Sequence, residues 1–134
     1  MAGPERFDAF SLMKRFRIDE ATLGDALTLF VEREDYGFVW LAYRETIPVG
    51  CASVGYAIAT DAGGVIALVR DLYVAPEERR AGIATALLAS LHARLDALEI
   101  KRVDIPVAGD PGLQAFLRAS GYEATDELTF SLGR

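Results

Sequence analysis

The chain has 134 residues, 51% hydrophobic and 25% charged, a mix that suits one folded domain rather than a disordered or fibrous chain. Fourteen basic residues against twenty acidic ones give a formal charge of −6, which disfavours nucleic acid and anionic membrane as partners. With only Cys51 and His92 of their kinds, the sequence has no internal disulfide to form. It also lacks the material for a Cys-clustered zinc site, a His-rich metal site or a His-based triad, so no metal is expected.

No apolar run approaches the ~20 residues of a spanning helix. The opening segment mixes Glu5, Arg6, Asp8, Lys14 and Arg15 with aromatics, unlike a secretory signal. A cytoplasmic location and a single domain over residues 1–134 are the expectations. Phe7, Phe10, Met13 and Phe16 recur every three residues, as on an amphipathic helix. Leu23, Ala26, Leu27, Phe30 and Val31 form the stripe of a second helix, with Asp19 or Thr22 as its cap. Beyond Gly37, the run Phe38–Tyr43 is aromatic and β-branched, Val49–Ala59 is small and apolar throughout, and Val65–Val74 reads as another strand, so three strands are predicted. The turns between them, Glu45–Pro48 and Asp61–Gly64, are short enough to force an antiparallel meander.

The next connection is longer. Pro76–Gly82 leads into a helix carrying Ile83, Leu87, Leu91, Leu95 and Leu98 on one face, and Arg102–Val107 follows as a strand. Strand, helix, strand is a βαβ unit with parallel strands and a right-handed crossover. Asp110-Pro111 starts a short helix that Gly121 closes, and Leu128, Phe130 and Leu132 alternate as a final antiparallel strand would. The expected fold is α/β of the α+β kind: a mixed, mostly antiparallel sheet with a central parallel βαβ unit, flanked by helices.

In such sheets ligands favour the carboxyl ends of parallel strands, beside a helix N-terminus whose free N–H groups attract anions. Here that place reads Arg79-Arg80-Ala81-Gly82-Ile83-Ala84-Thr85. Gly82 and Ala84 remove bulk where a phosphate would meet backbone amides. Thr85 offers a hydroxyl, and the two arginines offset charge. The plain alternative is solvated loop arginines and a glycine that eases the chain into its helix. Neither the triphosphate-loop nor the dinucleotide glycine motif is present, which disfavours a nucleoside triphosphate or a dinucleotide and leaves a pyrophosphate open.

Leu72-Tyr73-Val74-Ala75-Pro76, then Arg79-x-x-Gly82-x-Ala84 and Leu87-Leu88, resembles the acyl-CoA signature of the GNAT superfamily of N-acyltransferases. Asp110-Pro111, Phe116 and Gly121-Tyr122 resemble its second motif, and the resemblance runs over about residues 17–132. It implies a GNAT-like fold and an N-acetyltransferase using acetyl-CoA as co-substrate, with direct attack by a primary amine in a ternary complex. It implies that backbone groups of Leu72 to Val74 pair with the pantetheine arm where the parallel strands splay. Arg79, Arg80, Ala81, Gly82, Ile83, Ala84 and Thr85 would hold the pyrophosphate.

For catalysis, Asp71 stands where many relatives carry a carboxylate, as a base or substrate anchor; its bland alternative is an ion pair with Arg70 or Arg79. The family's usual tyrosine acid position is Leu117, which cannot donate a proton and would point at the sulfur. Tyr73 is then the alternative acid. Tyr122 packs; Tyr56 and Trp40 belong to the core, with an acceptor-pocket role the rarer reading of Tyr56; His92 is a surface residue and Cys51 a small buried hydrophobe. The acceptor is a small-molecule or protein amine, of cationic character on the net charge, and a homodimer is compatible with the sequence. The rival readings are an acyl-CoA-binding module without catalysis, and a regulatory or structural partner.

Overall fold

The computed structural model describes residues 3–16, 18–79 and 81–134. Two helices come first, α1 (Gly3–Met13) and α2 (Glu20–Glu32). Asp19 caps α2, its carboxylate accepting from the Thr22 amide at 3.0 Å. Strands β1 (Gly37–Arg44), β2 (Ile47–Ala59) and β3 (Gly64–Val74) form the antiparallel meander. Gly37 opens β1 because a side chain there would meet the Val54 carbonyl oxygen at 1.9 Å. A 3₁₀ turn (Pro76–Glu78), helix α3 (Ile83–Ala97), strand β4 (Val103–Asp104) and helix α4 (Pro111–Ala119) complete the regular structure.

The sheet order is β1-β2-β3-β4, with β4 parallel to β3. One face carries α3 and α4: Leu88, Leu91, Leu95 and Leu117 pack on Ala52, Val54, Ala67 and Val69. The other carries α1 and α2, with Leu12, Met13, Leu23 and Leu27 against Val39 and Cys51. Most of each apolar stripe read from the sequence is thus spent on one sheet face, with Phe7 at the outer end of the first left 72% exposed. Among the described residues no helix is long and apolar enough to cross a membrane.

Two expectations need correction. The strand expected over 102–107 pairs only at Val103 and Asp104, because Ala67 donates to the Arg102 carbonyl. That pattern makes residue 106 the next donor toward β3, and residue 106 is Pro106. Without an N–H it cannot carry the ladder further. The final strand over 128–132 does not form either: residues 123–134 are neither helix nor strand. With no strand beyond β4, the parallel pair sits at the sheet's edge rather than its centre.

Candidate active site

Past its last rung with β4 at Leu68, β3 runs on to Val74 with no strand on that side. A bulge lies within this stretch. Cys51 faces Tyr73 and Ser53 faces Arg70, so Asp71 and Leu72 together oppose Ala52. Asp71 adopts φ 54°, the left-handed region. Such a bulge inverts which residues face each neighbour. Before it, Ala67 donates toward β4; after it, Ala75 donates to Val49 of β2. Leu72 and Val74 therefore turn their backbone groups to the side β4 vacates. Side chains invert in the same way: Ala67 and Val69 face α3 before the bulge, and Leu72 after it, while Tyr73 points to the α1/α2 face.

The 3₁₀ turn brings the chain from β3 to α3 and is tied down by ion pairs from Arg44 to Glu78 at 2.7 Å and from Arg15 to Glu77 at 3.2 Å. Gly82 is the N-cap of α3 at φ 76° with no side-chain cap, and the first turn of α3 has no acidic residue. A side chain at Gly82 would meet nothing within 4 Å, so glycine is required here by its backbone conformation rather than by crowding. The amides of Ile83, Ala84 and Thr85 are left for an outside acceptor. They line a cleft of about 200 Å³ with Val74, Glu78, Arg79 and Phe116.

Arg79 donates its Nε to the Val74 carbonyl at 3.1 Å and lies 5.8 Å from the centre of the Tyr73 ring. Ala81 is exposed beside the helix start, and Arg80 lies outside the described residues. Phe116, named in the sequence only as part of a motif, is α4's contribution to the cleft. Leu117 is not: it is 6% exposed and belongs to the core with Leu88 and Leu91. The expectation that it points at the sulfur is therefore corrected. One residue along a helix is a turn of about 100°, enough to move a side chain from cleft to core.

Asp71 accepts a hydrogen bond from Ser53 Oγ at 2.7 Å, a partner that sequence reading missed because only the bulge brings them together. Among the described residues neither Arg70 nor Arg79 forms an ion pair with it. Ser53 is 6% exposed, whereas the aspartate is open to solvent. Buried Cys51 lies next to them; burial first, and then the Asp71 charge, push its thiol up to about 12. Tyr73 packs edge-on against Phe16 at 5.1 Å. Asp71 and Tyr73 thus share the α1/α2 face, while the cleft opens on the α3/α4 face.

Residues placed elsewhere follow simple packing, with two corrections, at His92 and at Tyr56, which belongs to neither core cluster. His92, expected at the surface, is half-buried and bonded through Nε2 to the Tyr122 hydroxyl at 2.5 Å. Trp40 donates to Ser90 at 2.9 Å. Tyr56 lines a separate groove of about 560 Å³ along β1, with Phe38, Trp40, Arg94 and Leu98. Arg94 lies ~14 Å along α3 from Thr85, so that groove does not adjoin the cleft.

The model of an acetyltransferase (GNAT) domain matches residues 35–124. In structure the chain is similar to an aminoglycoside antibiotic 6'-N-acetyltransferase, AAC(6')-IG, from Acinetobacter haemolyticus. The TM-score is 0.82 at 17% identity over 100% of this chain and 95% of that one. It is also similar to the aminoglycoside N-acetyltransferase AAC(6')-Iy in complex with CoA, at TM-score 0.78 and 14% identity, over 98% and 88%. A ribosomal-protein-alanine N-acetyltransferase from Brucella melitensis biovar Abortus 2308 matches at TM-score 0.71 and 17% identity, over 98% and 93%. No curated protein matches the chain in sequence. The family model spans the β-meander, the crossover with its open helix end and α4 with its cap, and the chain belongs to the GNAT acetyltransferase family.

Proposed function

We propose that the protein is an N-acetyltransferase that moves an acetyl group from acetyl-CoA to a primary amine in a ternary complex. The observation that carries this reading is the juxtaposition of α3's uncapped N-terminus with the unpaired edge of β3. A pyrophosphate-bearing thioester fits both. The amides of Ile83, Ala84 and Thr85, with the positive end of α3, suit the pyrophosphate. The outward groups of Leu72 and Val74 suit an extended amide arm, and Arg79 leaves the Val74 carbonyl to meet phosphate charge.

Acetyl-CoA supplies the activated acyl group. The chain's own residues handle the amine and the protons. An amine arriving from the α1/α2 face meets the Asp71 carboxylate, held by Ser53, which anchors the ammonium and takes its proton. The freed nitrogen attacks the thioester carbonyl, the C–S bond breaks, and the leaving sulfur takes a proton, with the Tyr73 hydroxyl as the nearby donor. The acceptor is a small-molecule or protein amine, cationic in keeping with the negative chain.

Thiol release from acetyl-CoA, measured against polyamines, aminoglycosides and peptides with free N-termini, tests this. Release with at least one class is expected, and Asp71→Asn should lower kcat by about 100-fold. An unchanged rate in Asp71→Asn removes the aspartate from the mechanism. A second reading, an acyl-CoA-binding module without turnover, is favoured by the burial of Leu117, which leaves α4 no hydroxyl at the cleft. CoA binding without thiol release from any amine would establish it.

A further inference from the structure

Residues 127–132 carry the residue pattern of a strand but pair with no sheet, and the sheet has an edge without a strand. Residues 123–134 form no backbone hydrogen bond with any other described residue. Within them Leu128, Phe130 and Leu132 are 74%, 88% and 82% exposed, separated by Thr129 and Ser131. Period-two alternation is the pattern of a strand with one apolar face. In a single copy all three apolar side chains are left in water.

The open edge is that of β4, the last strand on its side of the sheet. Because Arg102 accepts from β3, and Asp104 pairs there next, the backbone groups of Val103, Ile105 and Val107 turn outward. All three carry an N–H. Pro106, which would spoil an edge, spends its missing donor on the β3 side instead. The side chains of Val103, Ile105 and Val107 pack against the α3 core, so an added strand with its apolar residues on that face would extend the same layer. Within one copy the two halves stay apart: the tail leaves Tyr122, fixed to Leu117 and His92, and makes no bond to β4.

We infer that residues 127–132 of one copy add as an antiparallel strand to the outer edge of β4 in a second copy, at Val103–Val107. Reciprocal exchange about a two-fold axis closes the assembly as a dimer and leaves neither a free tail nor a free edge. The partner is a second copy because the same chain carries both unfilled halves. The exchange is independent of the acetyl-transfer reading.

Sedimentation of the purified protein at micromolar concentration is expected to give twice the chain mass. The double variant Phe130→Asp, Leu132→Asp should halve that mass without changing far-UV circular dichroism, since these side chains stand exposed in the single copy. Ile105→Pro, which removes an outward N–H, should also be monomeric. An equimolar mixture of the two monomeric variants should recover heterodimer, because one intact tail still meets one intact edge. Amide exchange at Ile105 and Val107 should be slow in the wild type and fast in the tail variant. A monomeric wild type overturns the inference. So does a monomer with slow exchange at these amides, which would place the tail on its own edge, or a dimer that the tail variant leaves intact.

Discussion

Helices α3 and α4 both follow β-strands and both line the cleft, yet their N-termini are built oppositely. At α4, Asp110 accepts from the Leu113 amide at 3.1 Å, and Pro111 in the first turn has no N–H to satisfy. The end is closed by its own sequence. At α3, Gly82 offers no side chain, and a left-handed backbone aims the first amides into the open. A glycine in place of a side-chain cap forgoes roughly a few tenths of a kcal/mol. A chain that caps α2 and α4 with side chains but not α3 leaves the α3 donors for a ligand, which the proposed function makes the pyrophosphate of CoA.

The comparison can be broken most severely by giving α3 a charge like that of α4. Gly82→Asp puts a carboxylate at the mouth of the anion site; CoA affinity by calorimetry should fall roughly 100-fold, by like-charge repulsion at close range. Melting temperature should change by only a few degrees, since a side chain there has open space and Asp tolerates the left-handed region. Next comes the rotation of α4. Leu117→Tyr forces a phenol into the core and should cost about 1–3 kcal/mol in chemical denaturation, with no gain in turnover. Phe116→Tyr, by contrast, should be near neutral in stability, since its ring already borders the cleft. Smaller still is the converse of the first change. Asp110→Ala opens α4 and should cost about 1 kcal/mol of stability, while CoA affinity stays within about twofold because no ligand group rests on that cap. Of the same order is Thr85→Ala, which removes a single hydroxyl and should weaken CoA by about 0.5–1.5 kcal/mol, the worth of one hydrogen bond.

Much of this was legible in the residues. The Asp110-Pro111 start of α4, the meander and the crossover into Gly82 all rest on local chemistry: a cap, two short turns, a residue that tolerates positive φ. What escaped depends on register. Pro106 was visible, but its effect on the ladder requires knowing that even-numbered residues of β4 face β3. Asp71 was named for its position in the chain, whereas its bond to Ser53 exists only because a bulge opposes two residues to one. Leu117 and Phe116 differ by a single step, and a motif aligned in sequence does not say which of them a helix turns inward. His92 met Tyr122 across 30 residues, beyond the reach of periodicity. For Leu128, Phe130 and Leu132 the alternation was plain, but a strand's partner is never written in the strand itself.

The central claim is that the open end of α3, and not the closed end of α4, receives the anionic arm of CoA. Amide chemical shifts followed during a CoA titration test it directly. Large, saturable shifts are expected at Ile83, Ala84 and Thr85, with Leu72 and Val74 moving at the same midpoint and Gly112 and Leu113 nearly still. Saturation with Ile83 to Thr85 unmoved, or with both helix ends shifting equally, would contradict it.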